Sequence, residues 1–291
     1  MKIINVCADD HANFMYQIHK SLLSVGVDSY AYKLTPHPFN YEEQADIISV
    51  NLLNTLEADL ILIHHSDWEL QHHFKSDVGY YHTGTKFRQG KANIIPIVNK
   101  SLVNLIDLPE FHNQGLANEF YLMGSTANPS GSKGVKHRFG HYPSNPHVKG
   151  TDTILKAFSE LGINVDCKTE RVDYKEQLER MQDAQVIVEL FNPMLNGNFY
   201  GSFGMTALEA ASYRKVVLTQ NITGQELYRQ TYGECELVIC NTYQDLKNNI
   251  LKYNTDDIYQ KANDTYLWWS RNHSEYATGS RLADILNRVC R

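Results

Sequence analysis

One stretch decides the fold of this chain: Tyr200-Gly-Ser-Phe-Gly-Met-Thr-Ala-Leu-Glu-Ala-Ala211. An apolar run typical of a buried strand precedes it, Gln185-Val-Ile-Val-Glu-Leu-Phe191, and a second such run follows it, Lys215-Val-Val-Leu-Thr219. The stretch therefore predicts a glycine-rich turn and a helix between two strands. Such a turn leaves backbone N–H groups unpaired at the positive end of the helix, where they can bind a phosphate or another anion. The same pattern also occurs in strand–helix connections that bind nothing.

Three residues of the stretch support this interpretation. Gly201 and Gly204 have no Cβ, so a ligand can approach the backbone closely. Glu209 follows about a turn and a half into the predicted helix and shares a face with Met205 and Thr206. A carboxylate at this position can accept hydrogen bonds from sugar hydroxyls that lie beyond the phosphates.

Strand-like runs alternate with helical spacing on both sides of this stretch. Between Phe14 and Val25 apolar residues recur at the spacing of a helix, and Thr151–Leu161 predicts another helix, which Thr151 caps. This alternation predicts parallel sheets covered by helices on both faces. The predicted strands are Lys2–Ala8, Ser29–Leu34, Ala58–His65, Asn93–Val98, Val135–His141, Asn164–Thr169, Gln185–Phe191, Lys215–Thr219 and Glu236–Ile239.

The segment 124–134 is a candidate linker, because its residues are small or turn-forming apart from one lysine. We therefore predict an N-terminal Rossmann-like domain over residues 1–125 and a second one over residues 135–255. Residues 256–291 form a predicted helical tail with two adjacent tryptophans as packing anchors. Two such domains place the carboxyl ends of their strands on either side of a cleft.

Composition excludes several classes of protein. The 291 residues carry a net charge of −6 and are 42% hydrophobic, which is enough apolar material for real cores. Residues 1–130 hold eight lysines and arginines against fourteen acidic residues, so this half is poorly suited to general nucleic-acid binding. The five cysteines are scattered without Cys-x-x-Cys spacing, which favours reduced thiols in a cytoplasmic protein. No window approaches the roughly 18 apolar residues of a membrane span.

Two further segments contain candidate site residues. The loop His141–Gly150 follows a predicted strand and contains Lys149, which can reach a phosphate at the carboxyl edge of the sheet. In the segment Tyr80–Arg88, His82 can hydrogen-bond a reacting sugar or accept a proton, and Arg88 can neutralise a leaving phosphate. Both segments also have a structural interpretation: a surface lysine beside a helix cap, and a loop histidine satisfied by packing.

Together, the three segments resemble the motifs of nucleotide-sugar glycosyltransferases with two Rossmann-like domains, the GT-B type. The chain is most similar to the large retaining family of glycogen-synthase-like and bacterial glycan-building enzymes. Phe203, Gly204, Glu209 and Ala210 match the donor motif of that family, Glu-x-Phe-Gly-x-x-x-x-Glu-Ala. The lysine loop and the histidine–arginine segment come in the order of the family, so the resemblance covers nearly the whole chain.

The resemblance implies a fold and a reaction. The C-terminal helices would pack across two domains that face a cleft. The donor would be a UDP- or GDP-linked sugar, the transfer would retain the anomeric configuration, and neither a cofactor nor a metal ion would be needed. The acceptor is open: it would be a glycan or a small molecule. No Asp-x-Asp stands at a strand end, and Asp9 and Asp10 are adjacent rather than spaced for a metal–diphosphate role.

The resemblance also implies a role for each candidate residue. Glu209 would bind the donor ribose, Lys149 would contact the diphosphate, and His82 would lie at the reacting carbon. The catalytic candidates are therefore His82, Arg88 and Lys149. The backbone that would hold the phosphate and the sugar belongs to Gly201, Ser202, Phe203, Gly204 and Met205.

The chain departs from the family at two positions. The first glutamate of the donor motif falls at Gly201, and the arginine that usually accompanies the lysine is absent, since His141 follows the strand glycine. These departures leave the identity of the sugar open and are compatible with reduced or lost activity.

Two other functions are compatible with the sequence. The first is a non-catalytic protein that binds a nucleotide sugar or a glycan on the same fold. The second is a phage-type glycosyltransferase acting on a modified DNA base, which a cluster of Lys86, Arg88 and Lys91 supports and the acidic first half opposes. A dinucleotide oxidoreductase is disfavoured, because the first turn, Ala8–Asn13, lacks Gly-x-Gly-x-x-Gly.

Overall fold

The chain forms two compact units, each built on its own sheet. The first unit takes in Met1–Ser125 together with His273–Arg291, and the second is Thr126–Asn272. The domain limits expected from the sequence stay a prediction. The computed structural model of the chain describes residues 1–84, 86–87, 101–106, 135–170, 172–195, 198–199, 204–220 and 225–290.

The sheet of the first unit consists of β1 (Lys2–Cys7), β2 (Asp28–Lys33), β3 (Asp46–Ile47), β4 (Leu60–His64), β5 (Val78–His82) and β6 (Asn104–Ile106). These strands are parallel, and their order is β3-β2-β1-β4-β5-β6, which is the order of a dinucleotide-binding Rossmann sheet. The central strand β4 is buried along its whole length, which explains its continuous apolar sequence. The carboxyl ends of β1, β4 and β5 therefore meet at one edge.

The sheet of the second unit consists of β7 (His137–His141), β8 (Asp166–Cys167), β9 (Ala184–Val188), β12 (Val216–Thr219) and β13 (Val238–Ile239), while β10 (Met194–Leu195) and β11 (Asn198–Phe199) form a separate antiparallel pair. The order in the parallel sheet is β13-β12-β9-β7-β8. The strands β7, β9 and β12 lie in its centre, so their carboxyl ends are neighbours.

The helices connect the strands in the manner of repeated β-α-β units. In the described part of the chain, no helix is both long and apolar enough to cross a membrane. The helices are α1 (Phe14–Ser24), α2 (Pro146–Lys149), α3 (Thr151–Leu161), α4 (Tyr174–Asp183), α5 (Met205–Ser212), α6 (Gln225–Tyr232), α7 (Tyr243–Thr255), α8 (Tyr259–Asn272) and α9 (Glu275–Val289).

The last helix of the chain, α9, packs against α1 in the first unit. The contact is close, because a Cβ added at Gly279 would lie 1.9 Å from the backbone oxygen of Ser21. The ammonium of Lys20 also lies 3.5 Å from the Glu275 carboxylate. The preceding helix α8 belongs to the second unit, where the predicted anchors Trp268 and Trp269 are buried.

The predicted α/β class with two parallel sheets is confirmed, and two local predictions were wrong. Gly150, with φ of 70°, occupies the cap position before α3, and Thr151 is the first residue of that helix rather than its cap. The strand predicted over Gln185–Phe191 ends at Val188; the N–H of Glu189 still donates to Leu218 of β12, but that of Phe191 donates to the backbone oxygen of Lys149 outside the sheet. The strand predicted over Asn93–Val98 and the linker 124–134 lie outside the described residues.

Candidate functional site

Polar groups lie at the carboxyl edge of the sheet in the second unit. We call this group of residues the second edge; its members are His141, Lys149, Glu189, Gly204 (through its backbone N–H) and Glu209. Glu189 directly follows β9, and the hydroxyl of Thr219 at the end of β12 donates to its Oε2 over 2.7 Å. This contact joins two strand ends, as expected where neighbouring parallel strands finish at one edge.

The Glu189 carboxylate also accepts hydrogen bonds through its other oxygen. Lys149 Nζ donates to Oε1 over 2.8 Å, and the backbone N–H of Gly204 donates to the same atom over 2.8 Å. The Glu189 side chain is 0% exposed and that of Lys149 is 14% exposed, so this ion pair is largely shielded from water. A buried carboxylate is stable only with such partners.

A glycine fixes the position of Lys149 beside the end of β9. Asn145 caps α2 by accepting a hydrogen bond from the backbone of Val148, and the helix ends at Gly150 with φ of 70°. A Cβ at Gly150 would lie 1.8 Å from the backbone oxygen of Phe191, so no larger residue fits. Lys149 thus lies beside the sheet edge, and its contact with a diphosphate stays a prediction.

Helix α5 starts at the second edge. Gly204 precedes it in extended backbone, and no side chain caps the helix. A Cβ at Gly204 would lie 3.2 Å from Glu189 Oε1 and 3.3 Å from Lys149 Nζ. A Cβ at Gly204 would therefore press on both charged groups, which would have to shift by a few tenths of an ångström. The candidate residues Gly201, Ser202 and Phe203 lie outside the described residues; Met205 is the first residue of α5.

Glu209 is buried within α5. The Tyr174 hydroxyl donates to its Oε1 over 2.7 Å. Burial raises the pKa of the Glu209 carboxyl to about 7, although the hydrogen bond from Tyr174 and the charge of Lys149 act in the opposite direction. The carboxyl is therefore divided between its two protonation states near neutral pH, which is characteristic of groups in functional sites.

His141 stands where the resemblance leads one to expect an arginine. Its Nδ1–H donates to the backbone oxygen of Val188 over 2.7 Å, and its Nε2 accepts from the Thr151 hydroxyl at 2.9 Å. Burial lowers the pKa of His141 to about 4, so the ring is neutral at physiological pH. The side chain therefore supplies no positive charge to the second edge.

In the first unit, a second group of polar residues lies at the carboxyl edge of the sheet. We call this group the first edge; its residues are Asp10, His65, His82 and Thr83. His82 ends β5 and is fully buried, with its Nδ1 accepting from the Ser66 hydroxyl at 3.0 Å and its Nε2–H donating to Asn104 Oδ1 at 3.3 Å.

Burial also governs the protonation of His82. It lowers the pKa of the ring to about 4, and the ring stacks on Tyr80 with the centroids 5.7 Å apart. Both observations suit a histidine held by packing. Its role at the reaction centre stays a prediction, and Arg88 lies outside the described residues.

The other residues of the first edge form a chain of hydrogen bonds that the sequence did not lead us to expect. His65 Nε2–H donates to Asp10 Oδ1 over 3.1 Å, and the Thr83 hydroxyl donates to His65 Nδ1 over 2.8 Å. The Asp10 carboxylate also accepts from the backbone of Met15 and Tyr16. A carboxylate, an imidazole and a hydroxyl in this order are a typical arrangement for moving a proton.

The backbone at His65 is unusual. His65 and the next residue, Ser66, have φ of 55° and 61°, in the left-handed region that costs a residue with a side chain about 1 kcal/mol. Such strain is concentrated at functional sites. The sequence signal was weak: Asp10, His65 and Thr83 each come shortly after a different strand, and only the strand order brings them together.

Cys7, Asp10 and His65 offer ligand atoms that all lie within 4.8 Å of one another, which is a possible donor set for a metal ion. Burial raises the pKa of the Cys7 thiol well above its ordinary value, with the nearby Asp10 acting in the same direction. Asp10 and His65 also bond to each other, as described above, so these donor atoms take part in the hydrogen-bond chain of the first edge.

Comparisons with known proteins identify the fold. No protein-family model matches this chain, and no curated protein matches its sequence. HepE of Anabaena, solved in complex with UDP-glucose, superposes with a TM-score of 0.70 at 11% identity, covering 99% of this chain and 100% of that chain.

Two further structures agree. A sucrose-phosphate synthase from Thermosynechococcus elongatus has a TM-score of 0.65 at 12% identity, covering 99% of each chain. A UDP-forming α,α-trehalose-phosphate synthase from Burkholderia vietnamiensis has a TM-score of 0.61 at 7% identity, also covering 99% of each chain. The chain therefore has the GT-B fold of these glycosyltransferases.

Proposed function

We propose that this chain is a glycosyltransferase that moves a hexose or a pentose from a nucleoside-diphosphate sugar to an acceptor. One observation carries the proposal: Lys149 and the N-terminus of α5 at Gly204 meet at the carboxyl edge of one sheet, and the charge of Lys149 acts on the Glu209 carboxyl of the same helix. These are the cation, the backbone donors and the carboxylate that a diphosphate and a ribose require. The GT-B fold supports the proposal, because HepE was solved with UDP and with UDP-glucose.

The reaction would be a substitution at the anomeric carbon of the donor, with the nucleoside diphosphate as leaving group. Lys149 and the positive end of α5 would stabilise the negative charge that develops on the leaving oxygen. The Glu209 carboxylate would accept hydrogen bonds from the ribose and so orient the donor. His82 would act at the reacting carbon, and Arg88 would neutralise the leaving phosphate. The backbone of residues 201–205 would hold the phosphate and the sugar.

The finer features of the proposal come from the resemblance. Retention of the anomeric configuration, a UDP- or GDP-linked donor, a cytoplasmic location and a glycan or small-molecule acceptor belong to it. Independence from divalent metals belongs to it as well, with Lys149 and the α5 N-terminus contacting the diphosphate in place of a metal ion. Turnover should survive EDTA. Activity that disappears in EDTA and returns with Mn²⁺ or Mg²⁺ would contradict this part of the proposal.

Calorimetry tests the donor site. UDP, GDP or ADP should bind the wild-type chain, and Glu209→Ala should weaken that binding at least about tenfold, or ~1.4 kcal/mol. Glu160→Ala is the matched control, because Glu160 pairs with Lys247 on the surface of the same unit. Failure of every nucleotide to bind would refute the donor site. An equal effect of both substitutions would remove Glu209 from it.

A second candidate is a non-catalytic binder of nucleotide sugars, which the glycine at position 201 and the shielded pair of Lys149 with Glu189 favour. The two functions differ in turnover. Release of diphosphate from a panel of nucleotide sugars should be detectable for the enzyme, whereas the binder would show affinity without release.

A further inference from the structure

Glu189 lies where the proposed function places a phosphate. The backbone N–H of Gly204 and the ammonium of Lys149 are the two groups assigned to the donor diphosphate, and both donate to Glu189 Oε1 over 2.8 Å. One carboxylate oxygen therefore takes the hydrogen bonds that a phosphate oxygen would take.

The charges around this oxygen are already balanced. Lys149 contributes one positive charge and Glu189 one negative charge at the same contact. His141 is neutral because burial lowers its pKa, and Glu209 adds negative charge when it ionises. An incoming diphosphate would thus meet a position that already holds an anion, and two anions cannot share it, because like charges at this distance repel strongly.

From this geometry, which rests on the proposed function, we infer that Glu189 is an internal competitor for the donor's phosphate. Donor binding is an exchange in which a phosphate oxygen takes over the contacts with Lys149 and Gly204. Thr219 helps to hold Glu189 in the competing position, because its hydroxyl donates to the other carboxylate oxygen, Oε2, over 2.7 Å.

The exchange has a consequence for selectivity. A ligand must compensate for the lost contacts of Glu189 before any affinity is observed. A diphosphate carries enough charge to do so, whereas anions of lower charge compete poorly. Glu189 is therefore a residue that determines which anions enter the second edge.

The decisive variant is Glu189→Gln, which keeps the size of the side chain and its hydrogen-bonding oxygen but removes the charge. We expect UDP and pyrophosphate each to bind this variant about tenfold more tightly than the wild-type chain, or ~1.4 kcal/mol. Glu160→Gln makes the same change in net charge at a surface pair with Lys247 and should leave both affinities unchanged. Calorimetry in one buffer measures all three proteins.

A second variant keeps the inference testable if Glu189→Gln does not fold, which a melting curve would show. Thr219→Val preserves the shape of the side chain but removes the hydrogen bond to Oε2. The competitor is then held less firmly, so UDP should bind about threefold more tightly, the scale of one hydrogen bond.

The outcomes separate the inference from the proposed function. Folded variants that bind UDP as tightly as the wild-type chain would overturn the inference while the donor site stands. Folded variants that bind UDP more weakly would also overturn it, and would make Glu189 a residue that positions Lys149. Unchanged UDP binding with weaker UDP-glucose binding would also overturn it, by assigning Glu189 to the sugar. Tighter pyrophosphate binding without any nucleotide binding would support the inference and refute the donor function. If neither ligand binds any variant, both fail.

Discussion

The two sheet edges arrange their polar groups in different ways. At the first edge, Asp10, His65 and Thr83 satisfy one another through hydrogen bonds between side chains. At the second edge, Lys149 and Glu189 form a shielded ion pair beside the Glu209 carboxyl, whose pKa burial raises to about 7. The first edge is a closed network of hydrogen bonds, whereas the second holds charges that burial makes unfavourable.

This difference shows where binding energy is available. A network in which each group already has its partner gains little from a ligand unless the ligand replaces one of those partners. At the second edge, an anion that replaces Glu189 gains the contacts with Lys149 and Gly204 in exchange for those that Glu189 loses. A ligand that donates hydrogen bonds to the Glu209 carboxylate also offsets the cost of burying it. We therefore expect the second edge to dominate donor affinity and the first edge to act on the reaction itself.

The largest effect is expected at Gly150, which supports the second edge. Gly150→Ala would place a Cβ 1.8 Å from the backbone oxygen of Phe191 at positive φ, and should lower the free energy of unfolding by at least about 3 kcal/mol. Gly162→Ala is the matched control, because Gly162 has φ of 65° but open space around it, so only about 1 kcal/mol is expected. Urea unfolding measures both. If both substitutions lower the free energy of unfolding equally, the backbone at Phe191 moves away from the new Cβ at little cost, and this contact does not fix Lys149.

The next effect is a dependence of stability on pH through Glu209. Its pKa in the folded chain is raised from the ordinary 4.5 to about 7, so the folded state binds this proton more tightly than the unfolded state. The stability that the proton provides is complete below the ordinary pKa and is lost as the pH rises through about 7.

Glu209→Gln removes this titration. The stability of the variant relative to wild type should therefore increase between pH 5 and pH 8, by up to about 3 kcal/mol. Urea unfolding without ligand at four pH values in this range gives the difference. If the difference in free energy of unfolding between the variant and wild type stays constant with pH, the Glu209 carboxyl is not buried as described. The two edges would then no longer differ in holding a carboxyl with a raised pKa.

A smaller effect is expected for His82→Ala at the first edge. If His82 acts at the reaction centre, kcat should fall about 100-fold, or ~2.7 kcal/mol, with little change in donor KM. His273→Ala is the matched variant, because that ring is also fully buried, has its pKa lowered by burial and belongs to neither sheet edge. Both variants should melt at lower temperature, and only His82→Ala should lose kcat.

The same pair of variants can remove His82 from the site. Near wild-type kcat in a folded His82→Ala protein would leave it as a packing residue, in keeping with its contacts to Ser66 and Asn104. The first edge would then act through Asp10, His65 and Thr83 alone.

The sequence predicted those parts of the second edge that depend on local pattern. Lys149 and Glu209 were found because a turn between a strand and a helix can be recognised from neighbouring residues. Glu189 was missed although it lies in a strand that was predicted, because the apolar run continues to Phe191 and conceals the end of the strand at Val188. An acidic residue within such an apolar run was the available signal.

The first edge was largely beyond prediction for a different reason. The strands β1, β2 and β4 were predicted from their apolar runs, which reflect burial in a sheet, whereas the sequence analysis did not predict β3, β5 or β6. The order of the strands, however, is set by packing over long distances, and only that order brings Asp10 to His65 and Thr83. The neutral state of His141 likewise depends on its burial, which its neighbours in sequence do not reveal.

The contact of α9 with α1 has a consequence for how this chain can be cut and rejoined. Since α9 completes the first unit, the segment that encodes the second unit is inserted within the segment that encodes the first. A chain that stops at Asn272 would keep the whole second unit yet uncover the surface of α1 around Ser21, against which Gly279 packs. To make the first unit continuous, a circular permutation would place residues 273–291 before residue 1. The new N-terminus would then lie between α8 and α9.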